Sequence, residues 1–191
     1  MKPILTNNDF QWAADKIGCE LAVIKAVAKV ESAKTGFLSD GAPKILFEGH
    51  IFHRETGGKY SKREIYKDIS YKNWTTKYYG EDGFEEYERF KRAFELDQVA
   101  AIKSASWGKF QIMGFNYKRA GFDDIYNFMV AMDESERKHL EAFVNFIFSV
   151  GLDDELRRKD WQGFARGYNG PSYAKNRYDE KMLKAYKMYS K

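Results

Sequence analysis

A single cysteine, Cys19, stands in 191 residues, which excludes an intramolecular disulfide framework. Without any Cys-His signature around it, its expected role is that of a buried small hydrophobe. Proline is nearly as scarce: Pro3, Pro43 and Pro171 are the three, and the long stretches between them keep helical spacing with few strand-like alternations. No stretch approaches the roughly 18 to 20 apolar residues that a membrane-spanning helix requires. The opening Met-Lys-Pro-Ile-Leu-Thr-Asn-Asn-Asp-Phe offers one apolar pair where a signal peptide needs a core, so a soluble protein made in the cytoplasm is expected. Nor does charge of one sign dominate. Lys and Arg number 32 against 28 Asp and Glu, a net +4, far from the concentrated basicity of a dedicated nucleic-acid binder but weakly favourable to an anionic neighbour. No Gly-rich phosphate loop follows a strand, so nucleotide chemistry has no support.

What is present is an apolar fraction of 43%, enough for one core, in a chain too short for two independent ones. A single mainly α domain is expected over residues 1–191. The first helix should start at a cap among Thr6, Asn7, Asn8 and Asp9 and end near Gly18, and a second should run from about Glu20 to Glu31. From Gly36 to His53, with Gly41, Pro43 and the apolar run Ile45-Leu46-Phe47, the chain reads as a loop followed by a short strand or a helical turn. Loops and short helices are expected from Lys59 to Gly83. Helices follow over Phe84 to Leu96, from near Asp97 to a break at Ser104-Ala105-Ser106-Trp107-Gly108, and over Asp123 to Met132. The Ser135 to Val150 helix is apolar around most of its circumference through Leu140, Phe143, Val144, Phe146, Ile147, Phe148 and Val150, which marks it as central, with His139 on its polar face. Helices over Asp153 to Tyr168 and Ser172 to Tyr189 complete the chain. Lys181, Lys184, Lys187 and Lys191, in or just after the last of them, form a solvated face that can also meet an anionic polymer.

Glu31 is the first candidate for chemistry. It ends a helix on the apolar side, following Ile24 and Val27 at i+7 and i+4, and both desolvation and the negative helix pole raise a carboxyl pKa there. A carboxyl kept protonated near neutrality can serve as a general acid; the plainer reading is a structural carboxylate bonded to Ser32 or paired with a lysine. Two further stretches stand out. Ser106-Trp107-Gly108-Lys109-Phe110-Gln111-Ile112-Met113 has small residues where backbone can approach a ligand, followed by an amide in an apolar run, and Gly167-Tyr168-Asn169-Gly170-Pro171 joins a ring to an amide at a sharp turn.

In this order, Val30-Glu31-Ser32, Ser106-Trp107-Gly108 with Phe110-Gln111-Ile112-Met113, and Tyr168-Asn169 resemble the pattern of goose-type lysozymes and lytic transglycosylases. With Gly36-Phe37-Leu38, Ile45-Leu46-Phe47-Glu48-Gly49-His50-Ile51-Phe52 and Tyr173, Asn176, Tyr178 and Asp179 added, the chain more closely resembles the phage-type N-acetylmuramidase endolysins. That resemblance implies a lysozyme-like helical fold with a substrate groove. It also implies cleavage of cell-wall glycan strands between N-acetylmuramic acid and N-acetylglucosamine, with peptidoglycan as partner and no cofactor. By position, Glu31 looks like the catalytic acid, while Gln111 and the backbone from Ser106 to Gly108 look like groove formers. Tyr168 and Asn169 look like the pair facing the cleaved sugar. One departure is Gly49, where many members of the family carry a basic residue. A monomeric lysis enzyme that stays in the cytoplasm would reach the wall only after a membrane breach, without stable membrane association of its own.

Glycoside hydrolysis usually needs a second carboxyl. Glu48 is preferred, between an apolar run and His50; its plainer role is a buried carboxylate paired with Arg54, His50 or backbone amides. Asp40 and Asp97 are weaker alternatives, since Asp40 reads as a turn residue and Asp97 as a helix cap. Inverting, single-displacement hydrolysis is what the resemblance favours. The alternatives are a lytic transglycosylase leaving anhydro ends and a wall-binding module without catalysis. A metal site from His50, His53, Glu48 and Glu55 lacks motif spacing, so none is expected.

Overall fold

The computed structural model describes residues 2–31, 35–170 and 173–191. Ser32 of the Glu-Ser pair, Pro171 of the Tyr-Asn-Gly-Pro turn and Ser172 at the expected start of the last helix therefore lie outside the described residues.

Helix α1 spans Asn7–Ile17 and opens on a reciprocal capping box. The Thr6 hydroxyl accepts from the Asp9 amide at 3.4 Å while Asp9 accepts from the Thr6 amide at 2.8 Å. Gly18 ends it in the left-handed conformation. Helix α2, Leu21–Glu31, buries Val23, Ile24, Ala26 and Val27 and delivers Glu31 at its C-terminus. Ile45–Phe47 resolves as a strand, β1: Ile45 and Phe47 are buried and Leu46 between them turns toward a cleft, the period-2 alternation of a sheet with one open face. Helix α3, Gly49–Glu55, follows directly, so the loop leads into both a strand and a helix where the sequence leaves one or the other open.

Helix α4, Gly83–Leu96, is capped by Asp82, and α5, Gln98–Lys103, by Asp97, whose carboxylate accepts from the Ala100 amide at 2.9 Å. The break after α5 is itself structured: Ala105–Trp107 form β2 and Ile112–Met113 form β3. With β1 they make an antiparallel sheet of order β1-β2-β3, in register Leu46 to Ser106 and Ser106 to Met113. Such short strands carry too little alternation to be read from sequence.

Helices α6, Ile125–Glu134, and α7, Glu136–Val150, come next. Leu140, Phe143, Val144 and Ile147 of α7 are buried, but Phe148 is 44% exposed, so its buried face is narrower than its composition suggests. His139 is not on a polar face; it is buried. Cys19 is half-buried rather than buried. The single helix expected over Asp153 to Tyr168 is two, α8 Asp153–Arg158 and α9 Trp161–Asn169. Lys159 turns left-handed between them, and Asp160 caps α9 by accepting from the Gly163 amide at 2.9 Å. A 3-10 turn over Tyr173–Asn176 precedes α10, Tyr178–Tyr189, which lies along α2. The described residues thus comprise ten α-helices and one small sheet around a shared apolar core.

One buried ion pair ties α4 to the sheet. Glu86 and Arg89 sit one helical turn apart with 2.8 Å between Oε2 and Nη1, both almost fully buried. Glu86 accepts from the Phe47 amide at 2.9 Å and the Gly80 amide at 2.7 Å. Arg89 donates to the Phe47 carbonyl at 3.1 Å and the Asp68 carbonyl at 2.9 Å. The outer edge of β1, which has no partner strand there, is satisfied by this pair. Arg89→Ala leaves Glu86 buried and unpaired and should cost about 3–5 kcal/mol in denaturant unfolding; a loss under about 1 kcal/mol would show that the pair does not hold the strand.

Candidate active site

A cleft crosses the open face of the sheet as two adjoining cavities of about 450 and 430 Å³. They share Glu31, Leu46 and Gln111, so Glu31 stands at the junction with open space on either side. The first cavity is lined also by Glu48, Ser106, Ile112, Asn116, Phe146, Tyr168, Asn169 and Tyr178. The second is lined by Leu38, Lys44, Gly80, Glu81, Asp82, Glu86 and Gly108 among others. The seven residues singled out from sequence, scattered from position 31 to 169, therefore line one cleft.

Burial pushes the Glu31 carboxyl up to about 7, opposed only by the Asn169 amide, which donates to Oε1 at 3.4 Å. Charge near Glu31 also raises the Tyr178 and Tyr168 hydroxyls, after burial as the larger cause, so both remain neutral donors. The carboxyl is thus poised to carry and release a proton near neutrality.

Glu48 faces the same cavity from the turn between β1 and α3. Its Oε1 accepts from the Tyr79 hydroxyl at 2.7 Å, and its Oε2 lies 3.2 Å from Nδ1 of His50. Burial is the main cause that lowers the His50 imidazole, with Glu48 acting in opposition. Tyr79, raised by burial and by Glu48, remains a donor. Gly49 has a steric reason: a Cβ there would lie 2.4 Å from the Tyr71 ring and 3.0 Å from the Ile69 carbonyl. The chain at 69–71 crosses directly over this position, leaving no room for a larger side chain.

Gln111 shapes the cleft more than it reaches into it. It holds a left-handed backbone, φ 49, unfavourable for a residue with a Cβ. Its amide oxygen accepts from the Ser106 hydroxyl at 2.8 Å and its amide nitrogen donates to the Gly108 carbonyl at 2.8 Å. Gly108 is small for the sake of the interior: at φ 68, a Cβ would lie 2.7 Å from the His139 ring. His139 in turn accepts from the Lys109 amide at Nδ1, 3.1 Å, and presents Nε2 to the Met132 carbonyl at 2.7 Å. Those partners fix the Nε2-protonated, neutral tautomer. The Tyr168 hydroxyl donates to the Phe110 carbonyl at 2.7 Å, while its ring stacks on Phe164 and meets Phe143 edge-on.

Asp40 accepts from the Ala42 amide in its own turn and Asp97 caps α5; neither lines the cleft. Glu55 pairs with Arg54 and Lys103, and among the described residues no group of three His, Cys, Asp or Glu could hold a metal ion. Tyr79 is a residue that sequence reading missed; its only signal is the abundance of Tyr between 59 and 83. Tyr178, a residue of the motif, lines the first cavity.

A family model described as N-acetylmuramidase matches residues 20–190. The chain belongs to the N-acetylmuramidase family. This muramidase is a glycoside hydrolase of the lysozyme type, and its mainly α fold with a small sheet is lysozyme-like. It is similar to the crystal structure of a Burkholderia AP3 phage endolysin, with 40% identity and a TM-score of 0.89 over 98% of this chain and 71% of that one. No curated protein matches.

The raised Glu31 pKa has a stability consequence. Glu31 ionises near 4.5 when unfolded and near 7 when folded, so between these values the folded muramidase holds the extra proton and loses stability as pH rises. Glu31→Gln removes that penalty and should stabilise the protein by about 1–3 kcal/mol at pH 8 but little at pH 4. Thermal melts of both proteins across this range check it; an advantage independent of pH would refute a raised pKa.

Proposed function

We propose that this muramidase hydrolyses the bond between N-acetylmuramic acid and N-acetylglucosamine in peptidoglycan, with Glu31 as general acid. Glu31 protonates the leaving oxygen while Glu48 activates a water that attacks the opposite face of the sugar, inverting the anomeric centre. The observation that carries this reading is the position of Glu31: a desolvated carboxyl that titrates near neutrality, at the junction of two cavities that can take sugars on both sides of a cleaved bond. Glu48 is supported by sharing the first cavity with Glu31 and by the Tyr79 donor that fixes one of its oxygens as an acceptor. The substrate is the family's. Service as an endolysin in host lysis is supported by the 40%-identical phage enzyme.

The residues 1–191 are read as one monomeric catalytic domain, since the family match spans most of them and one core joins the helices to the sheet. No described helix is long and apolar enough to cross a membrane. Synthesis in the bacterial cytoplasm and access to the wall through a separate breach fit the endolysin reading.

Glu31→Gln should lower wall-lysis rates at least about 100-fold, the scale of a lost general acid, while the variant still sediments with purified walls. Lysis within a few-fold of the parent would sink the assignment. Glu48→Gln should lose about 100-fold as well. In the parent digest, mass spectrometry should find reducing muramic ends and early NMR spectra the inverted anomer; anhydro ends would make the enzyme a lytic transglycosylase instead.

The proton donor must be protonated, so kcat/KM should fall about tenfold per pH unit above about 7. A rate profile flat from pH 6 to 9 would exclude Glu31 as the acid.

A further inference from the structure

Among the described residues, the carboxylate of Glu48 is anchored through one of its two oxygens. Oε1 accepts from the Tyr79 hydroxyl at 2.7 Å, whereas Oε2 is shut off from solvent and accepts no hydrogen bond. Nδ1 of His50 lies 3.2 Å from it, equally buried and equally without a hydrogen bond. Buried polar atoms are nearly always paired, and these two face each other. Their separation is that of a hydrogen bond, while the ring is not yet aligned for one. Hydrogen bonds of catalytic groups are often loose in the free enzyme and tighten in the complex. Neighbouring groups are engaged elsewhere. The Glu48 side chain precedes α3 without capping it. Arg54, one turn along α3 from His50, is held by Glu55 at 2.9 Å. The Tyr71 ring is 6.5 Å from the imidazole between centroids, with its hydroxyl accepting from Arg89 at 3.5 Å. Burial lowers the imidazole pKa against the pull of Glu48, so near neutrality the ring is uncharged and carries its proton on one nitrogen.

We propose that His50 is the positioning residue of Glu48: its Nδ1–H donates to Oε2 and, with Tyr79 on Oε1, fixes the plane of the carboxylate that faces the cleft. The inference rests on the reading of Glu48 as the base. The last torsion of a glutamate is broad and nearly two-fold, so the chain itself does not set that plane. One donor fixes a point about which the carboxylate still turns; a second fixes its orientation. A base aimed at one water position gains in kcat rather than in substrate affinity. The arrangement requires the Nδ1-protonated tautomer, the opposite of the one fixed at His139.

The tautomer is read directly, without relying on a variant's stability, from the imidazole nitrogen shifts of isotopically labelled enzyme near neutral pH. The His50 signals are those missing from His50→Asn. Protonation at Nδ1 is expected; protonation at Nε2 would leave a lone pair facing the carboxylate and overturn the inference. Kinetics then separate positioning from support of the fold. His50→Phe, a ring without a donor, should lower kcat about ten- to hundredfold, the scale of a hydrogen bond to a charged group, with KM within about twofold. His50→Asn, whose amide can stand in for Nδ1–H, should recover kcat to within about fivefold. Equal losses in both variants, a loss confined to KM, or parental kcat in His50→Phe would each overturn the inference. Added to Glu48→Gln, His50→Phe should cost nothing further, and additive losses would count against it in the same way. Parental kcat in Glu48→Gln would overturn the base assignment and this inference together. An impaired Glu48→Gln beside an unimpaired His50→Phe overturns this inference alone.

Discussion

The pairing of Glu86 with Arg89 fixes where the sheet ends and where the cleft begins. β1 is an edge strand of three residues, too short to order itself. Both backbone groups of Phe47 are satisfied by this pair, and the same carboxylate holds Gly80. Phe47 immediately precedes Glu48, and Gly80 immediately follows Tyr79. The pair thus places the two partners of the Glu48–Tyr79 hydrogen bond from behind, without touching either. A buried ion pair is a poor source of net stability, because desolvation offsets most of its Coulomb attraction. What it supplies here is geometry, since both partners also bond the backbone, Glu86 at Phe47 and Gly80 and Arg89 at Phe47 and Asp68.

Four glutamates show how environment assigns a role to one side-chain type. Glu86 is matched by a guanidinium and two amides. Glu136, also buried, is pushed up by desolvation, but the amides of Leu5 and Gly36, with Lys109, outweigh this and hold its carboxyl below the ordinary range. It remains an anion and pins the N-terminal segment to the hairpin. Glu48 has a phenol and an imidazole beside it and faces the cleft. Glu31 has one weak amide donor, so desolvation prevails and the carboxyl rises to about 7. The proposed proton donor is the glutamate whose burial is least compensated, so the role assigned to it rests on a shortage of hydrogen bonds.

The helical part of the fold is legible in the sequence wherever a cap is explicit. Thr6 with Asp9, Asp97 and Gly18 mark ends that the structure keeps. Where the stop is a left-handed Lys159 rather than a glycine, two helices read as one. The sheet is illegible because its strands run two or three residues, and its register is set by distant groups such as Glu86. Burial of His139 is illegible for a related reason: the space for it is made by Gly36 and Gly108, far away in the chain. The cleft residues were legible as motifs. Their actual work differs in part, since Gly108 makes room for an imidazole and Gln111 closes a turn. Tyr79 carries no motif, and only the folded chain brings it to Glu48.

The proposed acid and base come from opposite walls, so that mechanism requires the width of the cleft to be held. Glu31 and Asn169 belong to α2 and α9, whereas Glu48 belongs to the sheet side with Ser106 and Gln111. Three braces cross between these walls. Tyr168 of α9 bonds the Phe110 carbonyl in the β2–β3 turn, Phe143 of α7 stacks on Phe110 with ring centroids 4.6 Å apart, and His139 of α7 receives the Lys109 amide. All three converge on Lys109 and Phe110, so the tip of one hairpin locks the sheet to the helical core. Backbone atoms make two of the contacts, which is why the residues at that tip need not reach the substrate to govern it. A neutral, buried His139 is essential to this arrangement: protonation at Nδ1 would replace an acceptor with a donor facing the Lys109 amide. Burial, which lowers the imidazole pKa, therefore preserves the brace across the pH range in which Glu31 exchanges its proton.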